Sequence, residues 1–335
     1  MEFSASAPCK AILFGEHYVV YGSPALAIPI EPRNAVVFSE APKGDSGLLL
    51  KSIYGNGMLE CDGGYLGQEE LAIYSEVAKK VFGTEKIPSC TIEFNAAWKL
   101  KGVGTSASLC AAFAAGMLKL KGEKADSEKI FAAAQAGDLA AHGGRASGID
   151  AKTVAYGKPL VFQRGFSPPR FVGRAAGFSL PEGTALLLID TNRGKKDGTS
   201  MMLEIFASQF GVHGPPAEAK EEQRRKIREE YAPLWEKIAC AMKGADAKTL
   251  GFLMNENHAF LKRRKMSSDG IEKAISAALC AGAHGAKLTG GGGEGGAALA
   301  LFDKKETGAA MEKITGKTGF ACHEICLAEK GACVD

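Results

Sequence analysis

The chain has 335 residues, 46% of them hydrophobic, and its 41 basic and 38 acidic residues leave a formal charge of only +3. That length supports two domains or one large one, and so even a charge balance excludes a nucleic-acid surface or a membrane-adhesion surface as the main partner, which leaves a small molecule. No stretch reaches the roughly 18 to 20 apolar residues of a membrane span, and the first residues lack a secretion signal's basic start and long apolar run, so a cytoplasmic location is expected.

In chain order, residues 11–14, 18–21, 35–38 and 48–53 are short apolar or β-branched runs, punctuated by Gly22, Pro24, Pro29, Pro32 and Gly44 as strands and turns are. The pattern predicts a helix over 68–82 and a strand over 90–94. Lys101-Gly-Val-Gly-Thr-Ser-Ala-Ser108 then forms a glycine-rich loop running into a small-residue helix over 109–120. Asp126 suits an N-cap for a helix over 127–141, which Gly143-Gly144 would end. Residues 153–156 and 160–163 read as strands, and Ser147-Gly148-Ile149-Asp150 as a turn carrying an acid. Pro168, Pro169 and a turn-rich patch at 181–183 mark the softest boundary, so two domains are expected, 1–180 and 181–335.

The second half opens with a strand over 185–189 and a polar loop over 190–199. Helical patterns follow at 216–243, 247–264 and 269–283, the last preceded by a Ser267-Ser268-Asp269 cap. In the first of these, Glu221, Glu222, Glu229 and Glu230 alternate with Arg224, Arg225, Lys226 and Arg228, the pattern of an exposed helix with i,i+4 pairs. A strand over 286–288, a dense glycine loop over 290–296, a strand over 297–302, a helix over 304–313 and a strand-like tail over 324–334 complete the chain. Cys322, His323, Cys326 and Cys333 lie in that tail without a Cys-x-x-Cys pair, and the nine cysteines read as reduced thiols rather than a metal or disulfide set. The order of elements predicts an α+β sandwich of helices on an antiparallel sheet.

Three segments carry chemistry. In Gly102-Val103-Gly104-Thr105-Ser106-Ala107-Ser108 the glycines let backbone approach a ligand, and the helix that follows offers unpaired N–H groups of positive character. That is an anion site, most naturally for phosphates, or else a plain tight turn before a helix. It lacks both the Gly-Lys-[Ser/Thr] ending of a Walker A loop and the dinucleotide Gly-x-Gly-x-x-Gly. The second loop has six glycines in the seven positions 290–296, more than a structural turn requires, given the entropy such a run loses on ordering. Near the N-terminus, Lys10 precedes an apolar strand, and Glu16 and His17 follow it. Asp150 follows the helix that bears Asp138 and His142.

Together these segments resemble the GHMP kinase superfamily nearly end to end. Gly102-Val-Gly-Thr-Ser-Ala-Ser108 is similar to its central motif, Gly-Leu-Gly-Ser-Ser-Ala-Ala, and Lys287-Leu-Thr289 with Gly290–Gly296 to its last one. Within the superfamily, the stretch from Ala7 to Ala27 is similar to the mevalonate kinase form, with lysine at position 10. Val19 stands where galactokinases keep an aspartate for sugar hydroxyls.

The resemblance implies a two-domain fold: a ribosomal protein S5 domain 2-like N-terminal domain and a ferredoxin-like α/β sandwich at the C-terminus. It implies ATP and Mg2+ as cofactors, mevalonate as acceptor and a homodimer. It makes Asp150 the group that takes or orients the acceptor's hydroxyl proton, and Lys10 the cation that stabilises the attacking oxygen. Gly102 to Ser108 and Gly290, Gly291 and Gly292 would hold phosphates, while Glu16, His17 and Thr289 would hold mevalonate. Ser106 would ligate magnesium with an acid. The family places that acid eleven residues before the catalytic aspartate, at Leu139 here, and one extra residue moves the match to Asp138. Glu294 replaces a usual glycine. Rival readings are phosphomevalonate or homoserine kinase, the former calling for further cations such as Arg145, Arg193, Lys195 or Lys196, and a non-catalytic member. The last predicts loss of Lys10, Ser106 or Asp150, all of which are present.

Overall fold

The computed structural model describes residues 2–41, 47–97, 100, 102–191 and 198–335, and builds the chain around two sheets. In the first, β1 (Phe3–Phe14) pairs antiparallel with β2 (Ala25–Glu40) from Phe3↔Phe38 to Phe14↔Leu26. β1 is buried from Ala5 onward, Ser6 and Lys10 included, as a strand covered on both faces is. β3 (Leu48–Ser52), β4 (Gly55–Leu59), β5 (Tyr65–Gly67) and, after α1 (Ile73–Phe82), β6 (Cys90–Asn95) extend the sheet beyond β2. α2 (Thr105–Leu120) packs on β1 and among α1, α3 (Ser127–Ala141) and α4 (Ile149–Tyr156). Asp126 caps α3 as expected, accepting from the amides of Glu128 and Lys129.

Several sequence expectations change. Residues 18–21 form a 3-10 turn between His17 (φ +61) and Gly22 (φ +92), not a strand; these two positive-φ residues break the extended path on either side. Residues 153–156 belong to α4, also not a strand. Although Thr153 and Val154 favour β structure, Gly148 starts the helix in the left-handed conformation and the Thr153 hydroxyl donates back to the Ile149 carbonyl. Asp150 therefore sits in a helix's first turn, not a free turn. α2 begins at Thr105, four residues before the expected start, so Thr105 to Ser108 are helical. Pro168 and Pro169 lie at the hairpin between β7 (Leu160–Phe166) and β8 (Pro169–Ala175), which extends the first sheet from β2.

The second sheet runs β10-β11-β9-β12, all antiparallel, from β9 (Thr184–Asp190), β10 (Gly285–Thr289), β11 (Ala297–Asp303) and β12 (Ala321–Ile325). Its helices are α5 (Thr199–Ser208), which the sequence reading missed, α6 (Glu221–Ala241), α7 (Ala247–Arg263), α8 (Asp269–Cys280) and α9 (Thr307–Thr318). The expected single tail strand splits in two. β12 joins the second sheet, while β13 (Cys333–Val334) returns to β1, with Ala5 opposite Val334. One apolar core runs from Leu13 and Phe14 of β1 to Leu186–Ile189 of β9, so the sheets share an interior that fixes residues from both around a common cavity. No helix among the described residues is long and apolar enough to cross a membrane.

Candidate active site

A cavity of about 250 Å³ opens where β1, the two glycine loops and the facing ends of α3 and α4 converge. Lys10 rises into it from β1 and is only 2% exposed. Its Nζ lies 3.1 Å from Asp150 Oδ2 and donates to the Gly102 carbonyl at 3.3 Å. Asp150 stands in the first turn of α4, where the helix dipole favours an anion. Burial pushes its carboxyl above the usual range, the Lys10 ammonium pulls it back down, and the Asp138 charge adds a smaller upward push.

Asp138, near the end of α3, is 2% exposed, and its Oδ1 has no hydrogen-bond partner among the described residues. His142 Nδ1 is 3.3 Å from that oxygen but makes its hydrogen bond to the Asp138 backbone carbonyl, at 2.9 Å. Burial works against a charge on His142, but hydrogen bonding to Asp138 and its negative charge lift the ring to about 9, which keeps it protonated at neutral pH. A buried carboxylate oxygen with no hydrogen bond among the described residues, its charge met by His142 alone, fits a divalent cation together with Ser106, which lines the same cavity. Among the described residues no three His, Cys, Asp or Glu side chains gather into a cage. Magnesium needs none, since it takes one or two carboxylates along with substrate phosphates.

The first loop brings Gly102, Gly104, Thr105 and Ser106 to the cavity, with α2 beginning directly behind them. Gly104 has φ +69, and a Cβ there would come within 2.8 Å of Lys10 Cε. Val103, Ala107 and Ser108 turn away: Val103 accepts the Lys10 amide at 2.9 Å, Ala107 is core, and the Ser108 hydroxyl donates to the Ala7 carbonyl at 2.9 Å. From the second loop Gly290 and Gly291 line the cavity. Gly290 meets the first loop so closely that a Cβ on it would lie 2.8 Å from Gly102 Cα. Gly292 packs instead under the Met266 carbonyl, and Glu294 is exposed, away from the cavity lining.

His17 lines the cavity, stacked on Phe206, with Nε2 3.1 Å from the Gly291 carbonyl. Burial lowers its pKa to about 4, so the ring is neutral and Nδ1, buried without a partner among the described residues, is an open acceptor. Glu16 and Thr289 do not reach the cavity. Glu16 is fully buried, paired with Lys287 and accepting from Asn257 Nδ2 at 3.0 Å, while Tyr231 donates to Asn257 at 2.5 Å. Thr289 donates to the Ile12 carbonyl at 3.0 Å.

The lining also includes Ile12, Val19, Val20, Arg145, Thr199 and Leu203. Arg145 is paired with Glu204 of α5. Thr199 and Leu203 went unseen because α5 did; the apolar pairs Met202-Leu203 and Phe206-Ala207, four apart, were its signal. Arg193, Lys195 and Lys196 lie outside the described residues.

Residues 238–318 match the family described as GHMP kinases C terminal. The mevalonate kinase of Pyrococcus abyssi is 30% identical over 334 residues, covering 94% of this chain and 93% of its own. That of Aeropyrum pernix is 29% identical over 336 residues, covering 98% and 97%. The structure of the L. major mevalonate kinase in complex with R-mevalonate superposes with a TM-score of 0.73 over 98% of this chain and 97% of that one, at 20% identity, a likeness of fold. By its 30% identity to the Pyrococcus abyssi enzyme across 94% of its length, the chain belongs to the mevalonate kinase family.

Proposed function

We propose that this chain transfers the γ-phosphoryl group of ATP to the primary hydroxyl of mevalonate, giving 5-phosphomevalonate and ADP. The observation that carries the reading is the buried Lys10–Asp150 pair at 3.1 Å, set beside a helix N-terminus and both glycine loops. Asp150 accepts the hydroxyl proton as the acceptor oxygen bonds to the γ-phosphorus and the bond to the β-phosphate oxygen breaks. Its burial, which raises its proton affinity, suits a base. Lys10, held by Asp150 and the Gly102 carbonyl, stabilises the oxygen as it gains negative charge. Because phosphoryl transfer has a loose transition state, positioning and charge neutralisation supply most of the acceleration.

Gly102, Gly104, Thr105 and Ser106 present the start of α2 to the phosphates, and Gly290 and Gly291 close on them from the second sheet. His17 Nδ1 accepts a hydroxyl of mevalonate, Val19 and Val20 cover its methyl-bearing carbon, and Arg145 meets its carboxylate. Glu16 and Thr289 act through the frame, tying β1 and the turn after it to the strand before the second loop. Ser106 and Asp138 would hold Mg2+, which when bound neutralises charge on the transferring phosphates.

We assign residues 1–180 to ATP and acceptor binding and 181–335 to the half supplying the second loop, a division supported by the two sheets. Nine free thiols suit the cytoplasm. We expect a homodimer, which light scattering would read as twice the 35.1 kDa chain mass. A coupled ADP-release assay over mevalonate, phosphomevalonate, homoserine and galactose tests the function: turnover should be greatest with mevalonate, and faster turnover of another acceptor overturns the assignment.

A further inference from the structure

A second hollow, of about 320 Å³, lies between the β7–β8 hairpin and α6, and three arginines line it: Arg164, Arg170 and Arg228. A single acid, Glu221, lines it with them. That carboxylate is already shared, paired with Arg228 and accepting from Arg224 Nε at 3.1 Å. Arg224 and Arg164 both stack on the Phe166 ring, at 4.3 and 5.0 Å from its centre, which holds two like charges close together on a rigid aromatic. Arg164 spends one N–H on the Ala146 carbonyl at 3.3 Å. The Arg170 guanidinium is exposed and has no ion pair among the described residues.

We propose that this hollow binds a small phosphate-bearing anion. Three lining guanidiniums, with Arg224 beside them on the Phe166 ring, have one carboxylate among them, so like-charge repulsion remains until an anion enters, and planar guanidinium forks are the groups best matched to phosphate oxygens. The same walls touch the catalytic cavity from behind. Gln163, also lining the hollow, donates to the Gly22 carbonyl at 3.0 Å, and Gly22 ends the turn whose Val19 and Val20 line the catalytic cavity. Arg164 holds the carbonyl of Ala146, another catalytic-cavity residue. Filling the hollow thus changes the affinity for the acceptor.

The test is calorimetry on the full chain with its catalytic cavity filled by mevalonate and a non-hydrolysable ATP analogue, with inorganic phosphate and glycerol 3-phosphate as separate probes. Binding of both assigns the site to phosphate itself; binding of glycerol 3-phosphate alone assigns it to a phosphomonoester. Arg170→Gln should weaken the probe about tenfold, and adding Arg228→Gln should do so again, as loss of charge-assisted hydrogen bonds predicts. Absence of binding to the filled wild-type chain, or equal affinity in the variants, overturns the proposal. Should the double variant fail to fold, the single change at exposed Arg170 decides alone. KM for mevalonate should shift with the probe in wild type, and in Arg170→Gln only at about tenfold higher probe concentration; an unshifted wild-type KM overturns the coupling. The binding measurement needs no turnover, so its failure is separate from failure of the kinase assignment.

Discussion

The two glycine loops look alike in sequence and do different work. The first is short, and both its glycines line the cavity: Gly102 lends its carbonyl to Lys10, and Gly104 leaves room for that lysine's stem. The second has six glycines, of which only Gly290 and Gly291 line the cavity. Gly292 is there because a Cβ would lie 2.1 Å from the Met266 carbonyl, and Gly296 because one would meet Ile271 Cδ1 at 2.9 Å. Glycine count therefore measures how closely backbone is packed, whether against a ligand or against the protein itself.

Substitutions can break this division, starting with the chemistry beside the first loop. Asp150→Asn should lower kcat about 10³-fold in the ADP-release assay, the range of a lost general base; full activity would remove Asp150 from the mechanism. Gly104→Ala should cost kcat about 10²-fold by displacing Lys10, as small misplacements of catalytic groups do, along with about 1 to 2 kcal/mol of stability for its own left-handed backbone. Gly292→Ala should cost stability without chemistry, by about 2 kcal/mol or more through its left-handed backbone and the clash with Met266, while the folded fraction keeps its kcat. If the folded fraction of Gly292→Ala lost kcat as Gly104→Ala does, the two loops would share one role.

On the metal side, Asp138→Ala should raise the magnesium needed for half-maximal rate about tenfold, and an unchanged titration would clear Asp138. Smallest is a pH effect at the second loop. His17, bonded to the Gly291 carbonyl, has its pKa depressed by burial to about 4. The neutral ring thus contributes stability in full above about pH 6.5, and that stability is lost as pH falls towards 4. Denaturant melts should show a fall of about 1 kcal/mol between pH 6.5 and 5.5, and His17→Asn should remove that part of the slope.

What the sequence made legible was mainly local. Asp126 and the helix it caps, the paired apolar runs of β9 and β11, and the loop-to-helix passage at Gly102 are dictated by neighbouring residues, and the structure has them. The misses arise where tertiary context overrides propensity. Residues 18–21 are apolar enough for a strand, yet they are buried as a tight turn under Phe206 and Tyr231. At the site, Lys10, Ser106, Asp138 and Asp150 stood out and do converge on one cavity. Arg145 and Leu203 were not placed, because their position depends on α5 folding back, which no local pattern states. Glu16 and Thr289 stood out too, but whether a polar side chain faces a cavity or a partner across the core is set by residues hundreds of positions away.

The Glu16–Lys287 pair has a consequence for how such a protein can vary. Its partners are 271 positions apart, both fully buried, and neither charge has water to fall back on. Losing one alone strands the other, at a cost of about 3 to 5 kcal/mol, whereas replacing both with apolar residues of similar volume can be nearly neutral. The two positions therefore behave as a single heritable unit: lineages can keep the pair or exchange it whole, and an engineer who recombines the first half of one homologue with the second half of another must carry both across together.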